Sequence, residues 1–186
     1  MVGGAGVLIQ LDSYLNTLNY LGTPSGILSS LIFLILLKFG HELAHAFTAA
    51  KLGVHVRQIG ILFIVFWPIL YTDVSDSWRI PNRFNRAKIA FAGIKFELFV
   101  AAISSCMWLV LPDGPLKTQM FFLSGISIIS SLLINANPLM RFDGYYALMD
   151  IWNIPNLQSR ANSSFTNWRR KLLWSTLLKL PFNQPF

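Results

Sequence analysis

The stretch GILSSLIFLILLKFGHELAHAF, Gly26 to Phe47, decides the fold. Gly26 to Leu37 form an almost unbroken apolar run, and Lys38, His41, Glu42 and His45 follow within one further pair of turns. A segment of about 20 predominantly apolar residues can cross a bilayer as a helix. A lipid-facing helix has no use for two imidazoles, a carboxylate and an ammonium at its end, because ionisable groups near the membrane interior are costly. These four side chains therefore call for a partner or a ligand.

The composition supports the membrane reading. The chain has 186 residues, enough for one domain, of which 54% are hydrophobic and only 12% charged. Soluble domains carry roughly 25% charged residues. The mean hydropathy is +0.52. The formal net charge of +7 would suit nucleic acid, but the basic residues gather in short segments beside apolar runs: Arg79, Arg83, Arg86 and Lys88, then Arg160, Arg169, Arg170 and Lys171. That is the distribution of cytoplasmic loops, and no nucleic-acid-binding signature accompanies it. A single cysteine, Cys106, excludes an internal disulfide framework and reads as an apolar filler. The first residues lack a basic n-region, which argues against a cleaved signal peptide.

Three segments are long and apolar enough to span: residues 25–52, 89–111 and 120–136, the last closed by Asn137-Pro138. Residues 59–70, IGILFIVFWPIL, are too short to span and rich in β-branched and aromatic residues. They predict a strand pair or a re-entrant element packed on the helices. Such an element serves equally as an edge for an extended peptide or as simple packing. The expected organisation is an N-terminal segment 1–24, a core over 25–150, and a basic tail over 151–186 that could open a further hydrophobic helix. The fold class is an all-α membrane protein with one short membrane-associated β or re-entrant segment.

Residues 1–37 contain no basic residue, whereas the segment after the first span holds Arg57, Arg79, Arg83 and Arg86. The positive-inside rule then places the N-terminus outside and both the 53–88 loop and the tail in the cytoplasm. The ends of spans one and three fall on the same side. Aromatic residues on that side (Trp67, Tyr71, Trp78, Tyr145, Tyr146, Trp152) fit an interfacial belt.

His41 and His45 stand at i and i+4, so they project from one helix face and can hold one zinc ion. Glu42 is placed to take a proton from a zinc-bound water. A catalytic zinc needs a third protein ligand. His55 lies ten residues beyond His45, while the position six beyond it is Lys51, so the extended histidine motif of soluble zinc proteases is missing and His55 reads as exposed or capping. The end of the third span, NANPLMRFDGYYALMD, offers Asp143 instead. Gly144 would let the backbone approach closely or adopt a positive φ. Two imidazoles and one carboxylate suit zinc and would also take Fe(II). Two further charges within the spans, Lys38 and Glu97, lie at similar depths and are expected to pair, with Lys95 or water as other partners for Glu97.

HELAH in one span and Asn135, Pro138, Asp143 and Gly144 in the pattern N-x-x-P-x-x-x-x-D-G after a later one resemble the two hallmarks of the site-2 proteases, intramembrane zinc metalloproteases. The stretches YTDVSDSWRIPNR and NANPLMRFDGYYALMDIWNIPNL most resemble a bacterial subgroup of peptide zinc metalloproteases. The resemblance covers residues 31–161. It implies a three-helix core with zinc held by His41, His45 and Asp143, and Glu42 as general base. It also implies Asn135 positioning the substrate or stabilising the oxyanion. The substrate would be a peptide or transmembrane protein, cleaved near the cytoplasmic face of a bacterial inner membrane. One departure is that Gly93 is followed by Ile94, where many members have proline. A non-proteolytic membrane component that handles or exports peptides is the competing reading, which the intact Glu42 disfavours. A metal transporter would spread polar ligands through several helices.

Overall fold

The computed structural model describes residues 19–64 and 67–177. The start of the N-terminal segment (1–18) and the end of the tail (178–186) lie outside them. The chain runs α1 (Pro24–Lys51), a hairpin of β1 (Ile59–Ile64) and β2 (Trp67–Thr72), and a 3-10 turn (Ser75–Arg79). It continues with α2 (Arg83–Val110), α3 (Pro115–Ile129) extended by a π-helical segment (Ser130–Asn135), α4 (Asp143–Trp152) and α5 (Leu157–Leu177).

Among the described residues, three helices are long and apolar enough to cross a membrane: Pro24–Lys51, Arg83–Val110 and Pro115–Asn135. Their outer surface is apolar, unlike that of a water-soluble bundle. Ile27, Leu28, Leu31, Ile32, Ile35 and Leu36 of α1 are exposed, whereas Gly26, His41, His45, Ala46 and Ala49 are buried. On α2 the buried set is mostly small (Ala87, Ala92, Gly93, Ala101, Ser104), which lets backbones approach closely, as membrane helix contacts require. The buried side of α3 carries Thr118, Gln119, Ser124 and Ser127. Small and polar groups share the interior with an apolar cluster around Leu37, Met120 and Leu123, while many large apolar side chains face outward, which makes lipid the solvent. The interior polar groups bond across helices: Gln119 bonds Ser29 at 2.8 Å and Ser30 at 3.1 Å, and Ser105 meets Ser124 at 2.6 Å.

Two of the expected spans begin too late. Asn82 caps α2 by accepting the Phe84 N–H at 2.9 Å, so that helix starts six residues before the apolar run. Pro115 opens α3 after Gly114, five residues before Met120. The predicted strand pair forms, antiparallel, with Ile59 opposite Thr72 and Ile64 opposite Trp67. It docks on α1 where the Thr72 hydroxyl donates to the Glu42 carbonyl at 3.1 Å. Cys106 is exposed on α2 instead of filling the core. Tyr145 leaves the expected interfacial belt, being buried with its hydroxyl accepting the Gln158 N–H at 3.3 Å.

Candidate metal centre

Helix α1 has 28 residues, so it is about 42 Å long at helical rise. That exceeds the roughly 30 Å hydrocarbon core, and the HELAH turns fall toward the far boundary, where water can reach them. His41 and His45 both turn inward and are nearly fully buried. Their Nε2 atoms lie 3.2 Å apart. The chain then returns Asp143 to them. After the π-helical segment the backbone turns through residues 136–142 and restarts as α4 at Asp143. Gly144 permits this return, because a Cβ there would lie 2.4 Å from the Ala136 carbonyl oxygen. Close backbone approach, and not a positive φ, is what the glycine supplies.

Asp143 Oδ2 stands 3.1 Å from His41 Nε2 and 3.3 Å from His45 Nε2. Three ligand atoms thus form a nearly equilateral triangle. Tetrahedral zinc with ligands at about 2.0–2.1 Å requires edges of roughly 3.3–3.4 Å. Asp143 Oδ2 is buried and has no aligned hydrogen-bond donor, as suits an oxygen that faces a cation. Burial would push the Asp143 carboxyl up, but the imidazoles of His41 and His45 bring it down to about 2, so it is an ionised carboxylate at neutral pH. The residues present therefore fit a divalent metal, and His41, His45 and Asp143 form the metal-ligand cluster found among the described residues. His55 is exposed and stands apart from it.

The histidines are oriented from behind. His45 Nδ1 donates to the Ile89 carbonyl at 2.7 Å, which leaves Nε2 with its lone pair toward the cluster. His41 Nδ1 lies 3.1 Å from Glu97 Oε1. The expected Lys38–Glu97 pair is present at 2.7 Å. With α2 beginning at Arg83, Glu97 lies 14 residues in, about 21 Å, and Lys38 lies 13 residues from the end of α1, about 20 Å. Lys95 is exposed. Asn135 sits behind His41, its amide donating to Glu97 Oε2 at 3.1 Å.

In front of the cluster is a cleft of about 800 Å³ lined by Glu42, His45, Asp143, Thr72, Trp78 and Tyr146, among others. Two ion pairs brace its walls. Arg57 chelates Asp76 at 2.9 and 3.2 Å, and Arg86 joins α2 to α4 through Asp150 at 2.7 Å. Asp150 and Arg86 were invisible as a pair in the sequence, 64 residues apart with nothing to mark them.

A membrane bundle carrying a His-His-carboxylate cluster beside a glutamate defines the class of membrane metallohydrolases by its chemistry. The comparison with protein families agrees: residues 29–129 match peptidase family M50, and the chain belongs to this family of site-2 proteases. The matched region holds HELAH and all of α2 and ends before Asn135 and Asp143, so the third ligand rests on the geometry. No curated protein and no solved structure matches the chain.

Proposed function

We propose that the protein is an intramembrane zinc metalloendopeptidase that hydrolyses a peptide bond of a membrane-associated or peptide substrate at the cytoplasmic ends of its helices. The observation that carries this reading is the triangle of His41, His45 and Asp143, with edges of 3.1 to 3.3 Å, opening beside Glu42 on a cleft. Zinc in this site would acidify a coordinated water and polarise the scissile carbonyl. Glu42, half-buried at the cleft wall, accepts the proton of the attacking water and returns it to the leaving amine. Its backbone is tethered by Thr72, so the carboxylate starts from a fixed helix turn. The hairpin that provides Thr72 stands beside the cleft, where an extended peptide could lie along it. Asn135 spends its amide on Glu97 and is assigned to the wall behind His41.

The test is metal content of the detergent-purified protein, followed by hydrolysis of a quenched peptide library in bicelles. Wild type should carry about one zinc per chain, with none in His45→Ala or Asp143→Ala. Glu42→Gln should keep its zinc and lose roughly 10²- to 10⁴-fold in rate. Wild type without zinc after metal-replete expression, or an active E42Q, would overturn the assignment.

A further inference from the structure

Glu97 is fully buried, and polar side chains from two other parts of the bundle converge on it. Oε1 lies 2.7 Å from Lys38 Nζ, 3.2 Å from Ser130 Oγ and 3.1 Å from His41 Nδ1. Oε2 accepts from Ser131 Oγ at 2.8 Å and from Asn135 Nδ2 at 3.1 Å. Lys38 additionally contacts Ser130. A carboxylate inside a membrane bundle is costly unless it is paired and hydrogen-bonded, and one lysine would meet that need. The register of two helices does not require four more polar contacts. The arrangement makes sense if the carboxylate must also be held at a fixed point.

That point faces His41. Its Nδ1 is buried and has no other acceptor among the described residues, and the approach of Glu97 is short but off the ideal line, so a small rotation of the ring aligns it. Metal-bound histidines almost always donate the second ring N–H to a carboxylate or carbonyl, which fixes the tautomer and raises ligand basicity. His45 uses the Ile89 carbonyl in this way. Among the described residues, the carboxylate that reaches His41 Nδ1 is Glu97.

We propose that Glu97 is a positioning residue of the metal centre: it accepts the His41 Nδ1–H and thereby presents Nε2 to the ion, while Lys38, Ser130, Ser131 and Asn135 hold the carboxylate in place. This rests on the metal reading of the site. The π-helical segment belongs to the same device, since its i→i+5 spacing brings Ser130, Ser131 and Asn135 to one side.

The experiment measures zinc dissociation constants by chelator competition in detergent for wild type, E97Q and the charge-neutral pair K38M/E97Q. Beside it, ¹⁵N-histidine NMR of the zinc-loaded protein is feasible because the chain has only three histidines. Zinc binding should weaken about 10- to 100-fold in both variants, while the metal-free K38M/E97Q melts as wild type does. Wild type should show a slowly exchanging His41 Nδ1–H that E97Q lacks. Unchanged zinc affinity in E97Q, or a fall in zinc binding only in step with unfolding, overturns the proposal. If neither variant folds, the wild-type spectrum decides, and a rapidly exchanging His41 Nδ1–H overturns it. Wild type that binds no zinc defeats the metal reading itself, a result distinct from an unaffected E97Q.

Discussion

A methyl group on Gly93 would lie 2.3 Å from His41 Cε1 and 2.5 Å from Nε2, so this glycine of α2 is the surface against which the His41 imidazole packs. Asp143, His45 and Glu97 stand around the rest of the imidazole. Gly93→Ala should cost about 1–3 kcal/mol as overpacking and weaken zinc binding, read by thermal melting and chelator competition. Melting and metal binding equal to wild type would show that the ring can move. The meeting of His41, His45 and Asp143 was legible in the sequence from the i, i+4 spacing of the histidines and the resemblance carried by the Asn135-to-Gly144 motif. Gly93 was legible only as a glycine. What it touches depends on how α1 and α2 cross, which no local pattern states. Glu97 was half legible: depth along two helices gave its partner Lys38, while its reach to His41 required the rotation of α2 as well.

At the scale of elements, the decisive feature is the π-helical end of the third span. Its signature is the Ala136 N–H bonding the Ser131 carbonyl at 2.8 Å. An α-helical turn would separate Ser130 from Asn135 around the axis and change the direction in which the chain leaves toward Asp143. Deleting Leu133, a lipid-exposed residue in that turn, should restore α spacing. The variant is expected to insert in the membrane and lose zinc; a deletion variant with full zinc content would make the extra residue irrelevant to the site. Nothing in SSLLIN marks a five-residue repeat, so the sequence predicted a plain helix to residue 136. The late starts assigned to α2 and α3 have a different origin. Hydropathy marks where lipid begins, whereas Asn82 and Gly114-Pro115 mark where the helices begin. The hairpin was readable because its β-branched and aromatic run is too short for a span. Its tether was not, and Thr72→Val should cost about 1 kcal/mol and lower peptidase activity with zinc retained.

On the scale of the whole molecule, the spans are held by small residues, an apolar cluster around Leu37, Met120 and Leu123, and buried polar contacts, while α4 packs along α2 and buries Gly144, Tyr145 and Ala147. Arg86–Asp150 ties it to α2, Gly144 packs on Ala136, and the ligand cluster ties it to α1. The two histidines share one helix, so a metal held by the proposed cluster would link separate elements through Asp143. A ligand that binds the folded state stabilises it by an amount set by its concentration over its dissociation constant, about 4 kcal/mol at a thousandfold excess. Removing the metal should therefore act locally as well as globally. Hydrogen exchange should quicken across residues 136–152 after chelation, while the interiors of α2 and α3, closed by their own helical bonds, stay protected. Asp143→Asn should show the same exchange pattern without chelator. Faster exchange spread evenly over all helices would mean that the metal stabilises the bundle as one unit, and no change anywhere would mean that α4 is held by Arg86–Asp150 and backbone packing alone.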